Sequence, residues 1–359
     1  MSDEPIDDVV EDLPIDDLRS VALAAGLVAL GVAVVEPFVD TLAILQHRKA
    51  EGLHGGMQFT YRDPKRSTDP ARLLSGARSL VVGAWPYAGG DVDRPVDAAP
   101  HGRVARYATG DHYGALRDAL GQVADRIRAM GFAARVVIDD NGLVDRAAAQ
   151  RAGIGWFGHN ANILVPGHGS WVVLGAIVTD APFAESERVP DGCGPCRRCL
   201  DGCPTGAIIA PGVVDARRCL AWLVQAPGSF PTEHRVALGD RIYGCDDCQE
   251  VCPPSRRSPQ GAIALDPDGA WVGLVSLLES DDAELIDRHG RWYIPKRDPR
   301  HLRRNALIAL GNVADPSDRT IRSKIEAFAA SDDEMLAEHA CWALDRLDER
   351  SVSVGLAGA

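Results

Sequence analysis

The spacing of the cysteines is the feature that most constrains what this chain can fold into. Eight of its nine cysteines lie between positions 193 and 252. The first run, CGPCRRCLDGCP, has the spacing C-x2-C-x2-C-x3-C-P of bacterial two-cluster ferredoxins, in which the fourth cysteine ligates the other cluster. The second run, CDDCQEVCP, has three cysteines, and Cys219 lies between the runs. Two 4Fe-4S clusters need eight thiolates, which is the number present.

Crossed ligation divides these cysteines into two sets. One set is Cys193, Cys196, Cys199 and Cys252, and the other is Cys203, Cys219, Cys245 and Cys248. A zinc site is the alternative, but four-cysteine zinc sites usually come as paired C-x2-C motifs and do not need the C-P endings. The ninth cysteine, Cys341, lies in the apolar helical pattern AEHACWAL and is expected in the core.

Composition describes a globular protein of two or three domains, at roughly 100–200 residues each. The chain has 359 residues, and its 38 Lys and Arg against 51 Asp and Glu give a net charge of -13. Such acidity argues against non-specific coating of nucleic acid, although a local basic groove stays open. The apolar stretch 21–35 is too short to span a bilayer, and the N-terminus is acidic where a secretory signal would be basic. We therefore expect a cytoplasmic protein with no membrane segment, in which disulfides are rare.

The first half of the chain alternates helical and strand patterns. Helices are predicted at 15–25, 114–131 and 143–152, and strands at 28–35, 78–85, 134–138 and 171–179. This alternation predicts an α/β (α+β) fold. Asp139 directly follows a strand, which is where ligands collect in open α/β sheets. The glycine-rich segment 153–171 lets backbone approach a bulky ligand closely, although such segments are more often plain surface connections.

The C-terminal region is predicted to be a small all-α, HEAT-like region. Its three amphipathic patterns are LRRNALIALGNV, TIRSKIEAFAA and EMLAEHACWALDRL. They are preceded and overlapped by the strongest basic cluster of the chain, which consists of Lys296, Arg297, Arg300, His301, Arg303 and Arg304. Such a run is usually a solvated helix face, and a phosphate-binding role is an equally open alternative in so acidic a chain.

We divide the chain into three parts. Residues 1–185 form an N-terminal α/β domain, 186–260 a ferredoxin-type domain for two 4Fe-4S clusters, and 261–359 the helical region. A ferredoxin is essentially the middle part alone. The electrons are therefore expected to pass to a group that the N-terminal part holds.

The sequence resembles the epoxyqueuosine reductase family, the cobalamin-dependent iron–sulfur enzymes of the last step of queuosine synthesis in tRNA. The resemblance runs from EPF at 36–38 through ARLLSGARSLVV, GRVARYATGDHY, GIGWFGHN, GSWVVLGAIVTD, both cysteine runs and LRRNALIALGN. It implies an oxidoreductase that removes the epoxide oxygen of epoxyqueuosine at the wobble position, giving queuosine.

The same resemblance implies cofactors and partners. The cofactors are cobalamin, held by the N-terminal catalytic domain, and two 4Fe-4S clusters. The partners are a tRNA carrying epoxyqueuosine and an external electron donor, a flavodoxin or ferredoxin system. The helical region is the candidate for binding tRNA, and we expect a monomer.

The resemblance also implies a proton donor. In the family this is the Asp of a strand-end motif that reads IDDNGLVDRA here, which places the role on Asp139, with Asp140 as its rival. Burial by cofactor and protein raises the pKa of such a carboxyl and keeps it protonated near neutrality. The alternative role is capping of the next helix. Asp140, Asn141 and Gly142 replace the Thr, small residue and Pro usual in the family, and His159 replaces the Lys of GW-x-GKN.

Contacts to cobalamin are expected from polar or flat side chains in the family-like segments and from an acid between two cluster cysteines. These residues are Arg103, Tyr107, Asp139, Asn160, Ser170, Trp171 and Asp246. Each has a structural alternative, such as an ion pair, core packing or a turn cap. No D-x-H-x-x-G motif occurs, so a histidine ligand to cobalt is not indicated. The basic cluster, with Arg217 and Arg218, is expected to hold tRNA phosphates while the modified nucleotide enters the pocket.

Two other functions stay open at this point. A reductive dehalogenase shares the plan of cobalamin plus two clusters, and it would act on free organohalides without tRNA. Those enzymes are typically exported with a twin-arginine signal, which this sequence does not show. An electron carrier or assembly protein would bind clusters but no stoichiometric cobalamin, and the large N-terminal part argues against it.

Overall fold

The structure is a computed structural model that describes residues 13–90, 92–97, 99–258 and 267–357. The strands are β1 Ala29–Val34, β2 Ser79–Pro86, β3 His101–Val104, β4 Ala134–Val137, β5 Trp156–Phe157, β6 Ile163–Leu164, β7 Val172–Thr179, β8 Ile208–Ala210, β9 Val213–Val214, β10 Arg241–Tyr243 and β11 Trp271–Gly273. The N-terminal helices are α1 Asp16–Ala24, α2 Val39–Ala50, α3 Phe59–Arg62, α4 Pro64–Ser67, α5 His112–Ala129 and α6 Asp145–Arg151. The cysteine-rich segment has α7 Arg198–Asp201, α8 Leu220–Leu223, α9 Thr232–Leu238, α10 Asp247–Glu250 and α11 Pro253–Arg256. The C-terminal helices are α12 Pro267–Ala270, α13 Leu274–Glu279, α14 Asp282–His289, α15 Arg300–Val313, α16 Arg319–Ala329 and α17 Glu334–Ala357.

The N-terminal part is built on a four-stranded sheet in the order β1-β2-β7-β4. Its predicted elements are present, because α1, α5, α6 and the four strands lie within two residues of their predicted bounds. The mixed α/β architecture is thus confirmed. Every pairing in this sheet is antiparallel, which the predicted α/β (α+β) class left open. Alternation fixes the order of elements, but connections as long as these permit either strand direction.

Helices cover both faces of this sheet. On one face α5 buries Leu116, Leu120 and Ile127 against the strands, and α6 covers the opposite face with three consecutive alanines. Gly83 of β2 and Gly175 of β7 are paired in register under α5. A Cβ atom would lie 2.9 Å from Leu120 at Gly83 and 2.8 Å from Leu120 at Gly175. The two glycines therefore let the helix sit close to the sheet.

The register of the sheet decides which strand ends meet. Pro86 at the end of β2 pairs with Val172 at the start of β7, and Val137 at the end of β4 pairs with Ala176. The segments that follow β2 and β4 and the segment that precedes β7 therefore share one edge. Asp139, beyond β4, lies at this edge.

A second, small sheet joins the three parts of the chain. Its order is β10-β3-β11, so the central strand comes from the N-terminal part and its neighbours come from the cysteine-rich and C-terminal parts. The predicted boundary between residues 260 and 261 lies outside the described residues.

The C-terminal helices pack on the small sheet. The core there joins Ile242 of β10 to α13, α15 and α17. Cys341 of α17 is exposed, so its predicted place in the core was wrong. The buried apolar positions of α17 are Leu336, Ala340, Ala343 and Leu347, a helical stripe that leaves Cys341 beside it. Within the described ranges, no helix combines the length and apolarity that crossing a membrane requires.

Candidate functional site

The first predicted set of cysteines surrounds a cavity of about 190 Å³. All four members, Cys193, Cys196, Cys199 and Cys252, line it. Cys252 comes from the second run and Cys193, Cys196 and Cys199 from the first, which is the arrangement that crossed ligation requires. Burial and the neighbouring thiols, chiefly Cys252, raise the pKa of Cys199 to about 11.

The thiols of the second predicted set influence one another electrostatically. Burial raises the pKa of the Cys248 thiol well above its usual value, and the charges of Cys245, Cys219 and Cys203 add to this. Burial likewise raises the pKa of Cys245 to about 12. The backbone N–H of Ala207 donates to Cys203 Sγ at 3.2 Å, the kind of contact that stabilises cluster-bound sulfur.

The described thiols are not arranged as a single-ion site would require. A zinc ion bound at about 2.3 Å needs four sulfur atoms drawn tightly together. Among the residues that the structure describes, no group of three or more His, Cys, Asp or Glu side chains is placed to hold one metal ion. A buried thiolate also needs compensating positive charge, which iron supplies.

Short helices and prolines shape these loops. Cys199 lies in α7, Cys248 in α10, and Cys252 is the N-cap residue of α11, which has Pro253 at its first position. Proline at the first position of a helix costs no hydrogen bond, so each C-P pair starts a new turn directly after a cysteine.

A larger cavity of about 780 Å³ adjoins the cysteine-rich segment. Three of the predicted cofactor contacts, Arg103, Trp171 and Asp246, line it. The other lining residues are Gly90, Val92, Val104, Arg106, Thr109, Asp240, Glu250, Ser255, Arg256, Ala270 and Trp271. This mixture of aromatic and paired charged groups suits a bulky polar cofactor. Asp246 stands between Cys245 and Cys248 in the sequence, so a residue next to the second predicted set of cysteines lines this cavity.

The charged groups of the larger cavity are held in place by hydrogen bonds and ion pairs. The carboxylate of Asp246 accepts the backbone N–H of Arg106 at 2.8 Å and the amide of Gln249 at 3.1 Å. Burial raises the pKa of Asp246 to about 6, although the Arg106 hydrogen bond opposes this. Arg103 pairs with Glu250 at 3.5 Å and with Asp240 at 3.4 Å. Asp246 thus accepts hydrogen bonds and Arg103 forms ion pairs, which are structural roles of the kind given above as alternatives. Both residues also line the cavity.

Arg106 is a cavity residue that the sequence analysis did not single out. Its guanidinium lies 4.8 Å from the centre of the Trp171 ring, and its Nη1 donates to the Gly89 carbonyl at 2.7 Å. The residue lies within GRVARYATGDHY, so its position in a family-like segment was the available indication.

Ser170 and Trp171 tie the sheet to the cysteine-rich segment. The hydroxyls of Ser170 and Ser255 are 3.0 Å apart, and Trp171 Nε1 donates to the Ser255 carbonyl at 3.0 Å. A Cβ atom at Gly169 would lie 2.4 Å from Ser255 Cα, so this contact requires glycine. Ser170 is therefore buried in a structural contact and does not line the larger cavity.

Two further predicted contacts lie elsewhere. Asn160 lines the smaller cavity, and its Nδ2 donates to the Cys248 carbonyl at 3.4 Å. His159 beside it approaches the Cys196 carbonyl at 2.8 Å. Tyr107 accepts the side-chain amide of Gln225 at 3.2 Å and does not line the larger cavity.

Asp139 and Asp140 have different surroundings. Asp140 Oδ1 accepts the backbone N–H of Gly142 at 2.7 Å, so this carboxylate closes its own turn. Asp139 is exposed, and its side chain makes no hydrogen bond within the described ranges. Its backbone has φ 49°, a left-handed conformation that is costly for a non-glycine residue and is concentrated at functional sites. Partial burial raises the pKa of Asp139, with Arg117 opposing and Asp140 adding to the shift.

The charge of Asp139 contributes to the raised pKa values of Tyr113 and Asp145, and neither residue was predicted. The charges of Asp139 and Asp145 both raise the pKa of Tyr113, after burial as the main cause. Asp145 Oδ1 is buried without a hydrogen-bond partner among the described residues. Tyr113 ends the family-like segment GRVARYATGDHY, and Asp145 lies in IDDNGLVDRA. Acids at the start of a helix are common, so the sequence gave no reason to single out Asp145.

The basic cluster is only partly available to a ligand. Arg304 is 0% exposed and donates to the carbonyls of the 223–228 segment, so its predicted phosphate contact was wrong. Arg300 and Arg303 are paired with aspartates. Lys296 and Arg297 are exposed on a turn in which both have φ 54°. Packing decides which cations are buried and which are exposed. Arg304 lies on the inner face of α15, where the buried backbone carbonyls of the 223–228 segment need donors.

Two family models match parts of the chain. The model described as 4Fe-4S double cluster binding domain matches residues 192–255. The model described as Epoxyqueuosine reductase QueG, DUF1730 matches residues 67–140. The first match spans all eight clustered cysteines and confirms the predicted iron–sulfur module.

The chain is also similar to whole proteins. An epoxyqueuosine reductase of Xanthomonas campestris pv. campestris is 34% identical over 91% of this chain and 94% of that protein. A crystal structure of epoxyqueuosine reductase with a tRNA-Tyr epoxyqueuosine-modified stem loop has a TM-score of 0.85 and 30% identity, covering 92% of this chain and 89% of that one. The Bacillus subtilis epoxyqueuosine reductase, solved with its aspartate catalytic loop swung out of the active site, has a TM-score of 0.82 and 29% identity over 92% and 90%.

Proposed function

Because this chain belongs to the epoxyqueuosine reductase family, and so is an oxidoreductase, we propose that it reduces epoxyqueuosine to queuosine in tRNA. One observation carries the proposal: a cavity lined by four cysteines and the larger cavity are both lined by residues of the 252–257 segment, and Asp139 at the edge of the sheet has no hydrogen-bond partner among the described residues. The solved complex of a relative with a modified tRNA stem loop supports tRNA as the substrate.

We assign the cluster ligands and cofactor contacts as follows. Cys193, Cys196, Cys199 and Cys252 would hold one cluster, and Cys203, Cys219, Cys245 and Cys248 the other. Arg103, Arg106, Trp171 and Asp246 would hold cobalamin in the larger cavity. Cobalamin and the two clusters would supply the reducing chemistry when bound. Electrons would arrive one at a time from a flavodoxin or ferredoxin system. Tyr107, Asn160 and Ser170 would support this site from outside the larger cavity.

Asp139 is the proton donor in this proposal. Removal of the epoxide oxygen as water leaves a carbon–carbon double bond and consumes two electrons and two protons. Asp139 is accessible and is not engaged in a hydrogen bond within the described part of the chain, and burial raises its pKa, which favours a role in donating a proton. Asp140 is occupied by its own turn and holds the loop.

The other parts of the chain have supporting tasks in this proposal. Residues 1–185 would bind cobalamin, 186–260 would conduct electrons, and the HEAT-like region 261–359 would help to hold tRNA. Lys296 and Arg297, as exposed cations on a turn, are the best placed of the basic cluster for phosphate contacts. The chain would work as a monomer in the cytoplasm. The family membership does not favour the small-molecule alternative.

The test is anaerobic reconstitution with iron, sulfide and cobalamin, followed by nucleoside analysis of epoxyqueuosine-containing tRNA incubated with a strong reductant. Queuosine is expected with the native chain. Asp139→Asn keeps the shape of the side chain without its proton, so we expect a loss of about 100-fold or more in rate. Asp140→Asn is the matched control, since an Asn can also close the turn, and it should stay close to the native rate.

If the native chain binds both clusters and cobalamin but the epoxide in the tRNA persists, the substrate assignment is wrong. An Asp139→Asn variant as fast as the native chain would remove Asp139 from the role of donor.

A further inference from the structure

Exposed arginines surround the cavity of the first set of cysteines. Arg198 and Arg257 line this cavity of about 190 Å³ together with all four thiols of the set. Arg197 precedes Arg198 in the loop between two of these cysteines. All three arginines are exposed, and we call them the arginine rim. In a chain of net charge -13, three exposed cations at one cavity reverse the local charge.

The charges of the arginine rim are not neutralised by nearby acids. None of its three members has an ion pair within the described part of the chain. Arg257 is held in place, because its Nε donates to the Pro253 carbonyl at 3.2 Å. Two exposed acids, Asp191 and Asp201, lie in the same loop, but neither lines the cavity. Asp191 Oδ1 accepts the backbone N–H of Cys193 at 2.9 Å, so that carboxylate closes its own turn.

The surface between the rim arginines is apolar. Pro253 and Pro254 are half-buried and line the cavity, and exposed Gly192 lines it as well. Protein interfaces commonly combine an apolar centre with a polar or charged edge. The arrangement therefore has the composition of a docking surface for a protein that carries negative charge.

The position of this surface suits the entry of electrons. The smaller cavity and the larger cavity have no lining residue in common within the described ranges. Asp246, beside the second set of cysteines in the sequence, lines the larger cavity, and no member of the first set does. The first set thus has its own approach from solvent, apart from the cavity assigned to cobalamin.

We propose that the arginine rim is the docking surface for an acidic flavodoxin, which delivers electrons to the cluster held by the first set of cysteines. This inference rests on the proposed function and locates its electron donor. Negative charge on the flavodoxin complements the rim, and the apolar edge of its flavin ring matches the two prolines. Each reduced flavodoxin loses one electron to the cluster, so two encounters supply the two electrons that the reaction consumes.

Single substitutions in the rim test the proposal by binding. Arg198→Gln and Arg257→Gln should each weaken binding of flavodoxin to the reconstituted protein by about 3-fold to 10-fold. Both should also flatten the dependence of the dissociation constant on salt, measured by isothermal titration calorimetry. Arg257→Lys keeps the charge but loses the Nε hydrogen bond, and it should bind flavodoxin nearly as well as the native chain. Iron content should stay at about eight atoms per chain in every variant.

Arg78→Gln is the matched control. Arg78 is exposed, has no ion pair among the described residues, and directly precedes β2. The first residue of β2 pairs with the last residue of β7, so Arg78 lies at the edge of the sheet opposite to Asp139. Removal of this charge should leave flavodoxin binding and its salt dependence unchanged.

The choice of reductant separates docking from the later steps. With flavodoxin as donor, the rim variants should reduce their clusters and form queuosine more slowly than the native chain. With reduced methyl viologen, a small cation that needs no docking surface, the same variants should form queuosine at the native rate.

Native affinity and native salt dependence in both Gln variants would overturn the docking surface. Weaker binding of tRNA with unchanged binding of flavodoxin would also overturn it, because the rim would then hold nucleic acid. A native chain that binds ferredoxin but not flavodoxin would overturn the choice of carrier. If flavodoxin binds through the rim but no queuosine forms with either reductant, the proposed reaction is wrong and the docking surface stands.

Discussion

At the scale of single residues, the same side-chain type takes different roles according to its partners. Asp140 and Asp139 are adjacent, yet Asp140 closes a turn while Asp139 has a left-handed backbone and no hydrogen-bond partner among the described residues. Arg300 and Arg304 are one helical turn apart, yet Arg300 is paired at the surface while Arg304 is buried among carbonyls. Each difference arises from the segment that packs against the residue. The neighbouring residues in the sequence do not specify that segment.

Arg304→Lys should destabilise the fold. The guanidinium donates in several directions at once, to carbonyls of the 223–228 segment and to Asn305, and an ammonium cannot reproduce this fork. We expect the free energy of unfolding to fall by about 2–4 kcal/mol, measured by anaerobic denaturant unfolding. Arg300→Lys is the matched control, and a change of less than about 1 kcal/mol is expected because its ion pairs are at the surface. Equal effects of the two substitutions would contradict the structural role of Arg304.

At the scale of elements, close packing of α5 on the central sheet positions the site. The register brings the ends of β2 and β4 to the start of β7, and α5 carries Tyr113 above that edge. The paired glycines of β2 and β7 set the distance between helix and sheet. A change in this distance displaces Tyr113 relative to Asp139.

Gly175→Ala should therefore cost stability. Its Cβ atom would lie 2.7 Å from Ile138 and 2.8 Å from Leu120, so the helix must shift. Overpacking of this kind lowers the free energy of unfolding by about 1–3 kcal/mol, which urea unfolding measures. Gly121→Ala, on α5 with open space around it, should instead raise stability by about 0.5–1 kcal/mol. A Gly175→Ala variant as stable as the native chain would show that the space between α5 and the sheet accommodates the added methyl group.

At the scale of the whole molecule, the cysteine-rich segment links the other two parts. The small sheet takes one strand from each part, and Ser255 binds the loop before β7. Each set of cysteines also contains members of both runs. With the proposed ligands, the two cluster sites would be interlocked with each other.

Double substitutions test the interlocking. Cys252→Ala should lower the iron content from about eight to about four atoms per chain, since one 4Fe-4S cluster is lost. Adding Cys193→Ala should remove no further cluster, whereas adding Cys245→Ala should remove the second. Iron analysis and electron paramagnetic resonance measure both outcomes, and Cys341→Ala is the control that should retain about eight. The reverse pattern of the two double variants would mean that each run ligates its own cluster.

The sequence by itself determined the iron–sulfur module, the helices and strands of the central sheet, and the family. These features are carried by local spacing, because cysteine intervals and hydrophobic periods act over a few residues. Asp139 could be singled out in the same way, since its motif is contiguous.

Only the tertiary structure decided the antiparallel pairing of the sheet, the burial of Arg304, the exposure of Cys341 and the burial of Asp145 Oδ1 with no hydrogen-bond partner among the described residues. Each of these depends on which distant segment packs against the residue. Ser170 illustrates the reason, because its partner Ser255 is 85 positions away and no local pattern records the contact. Burial, pairing and the resulting pKa shifts are properties of the packed chain, and they separate a reactive carboxyl from a structural one.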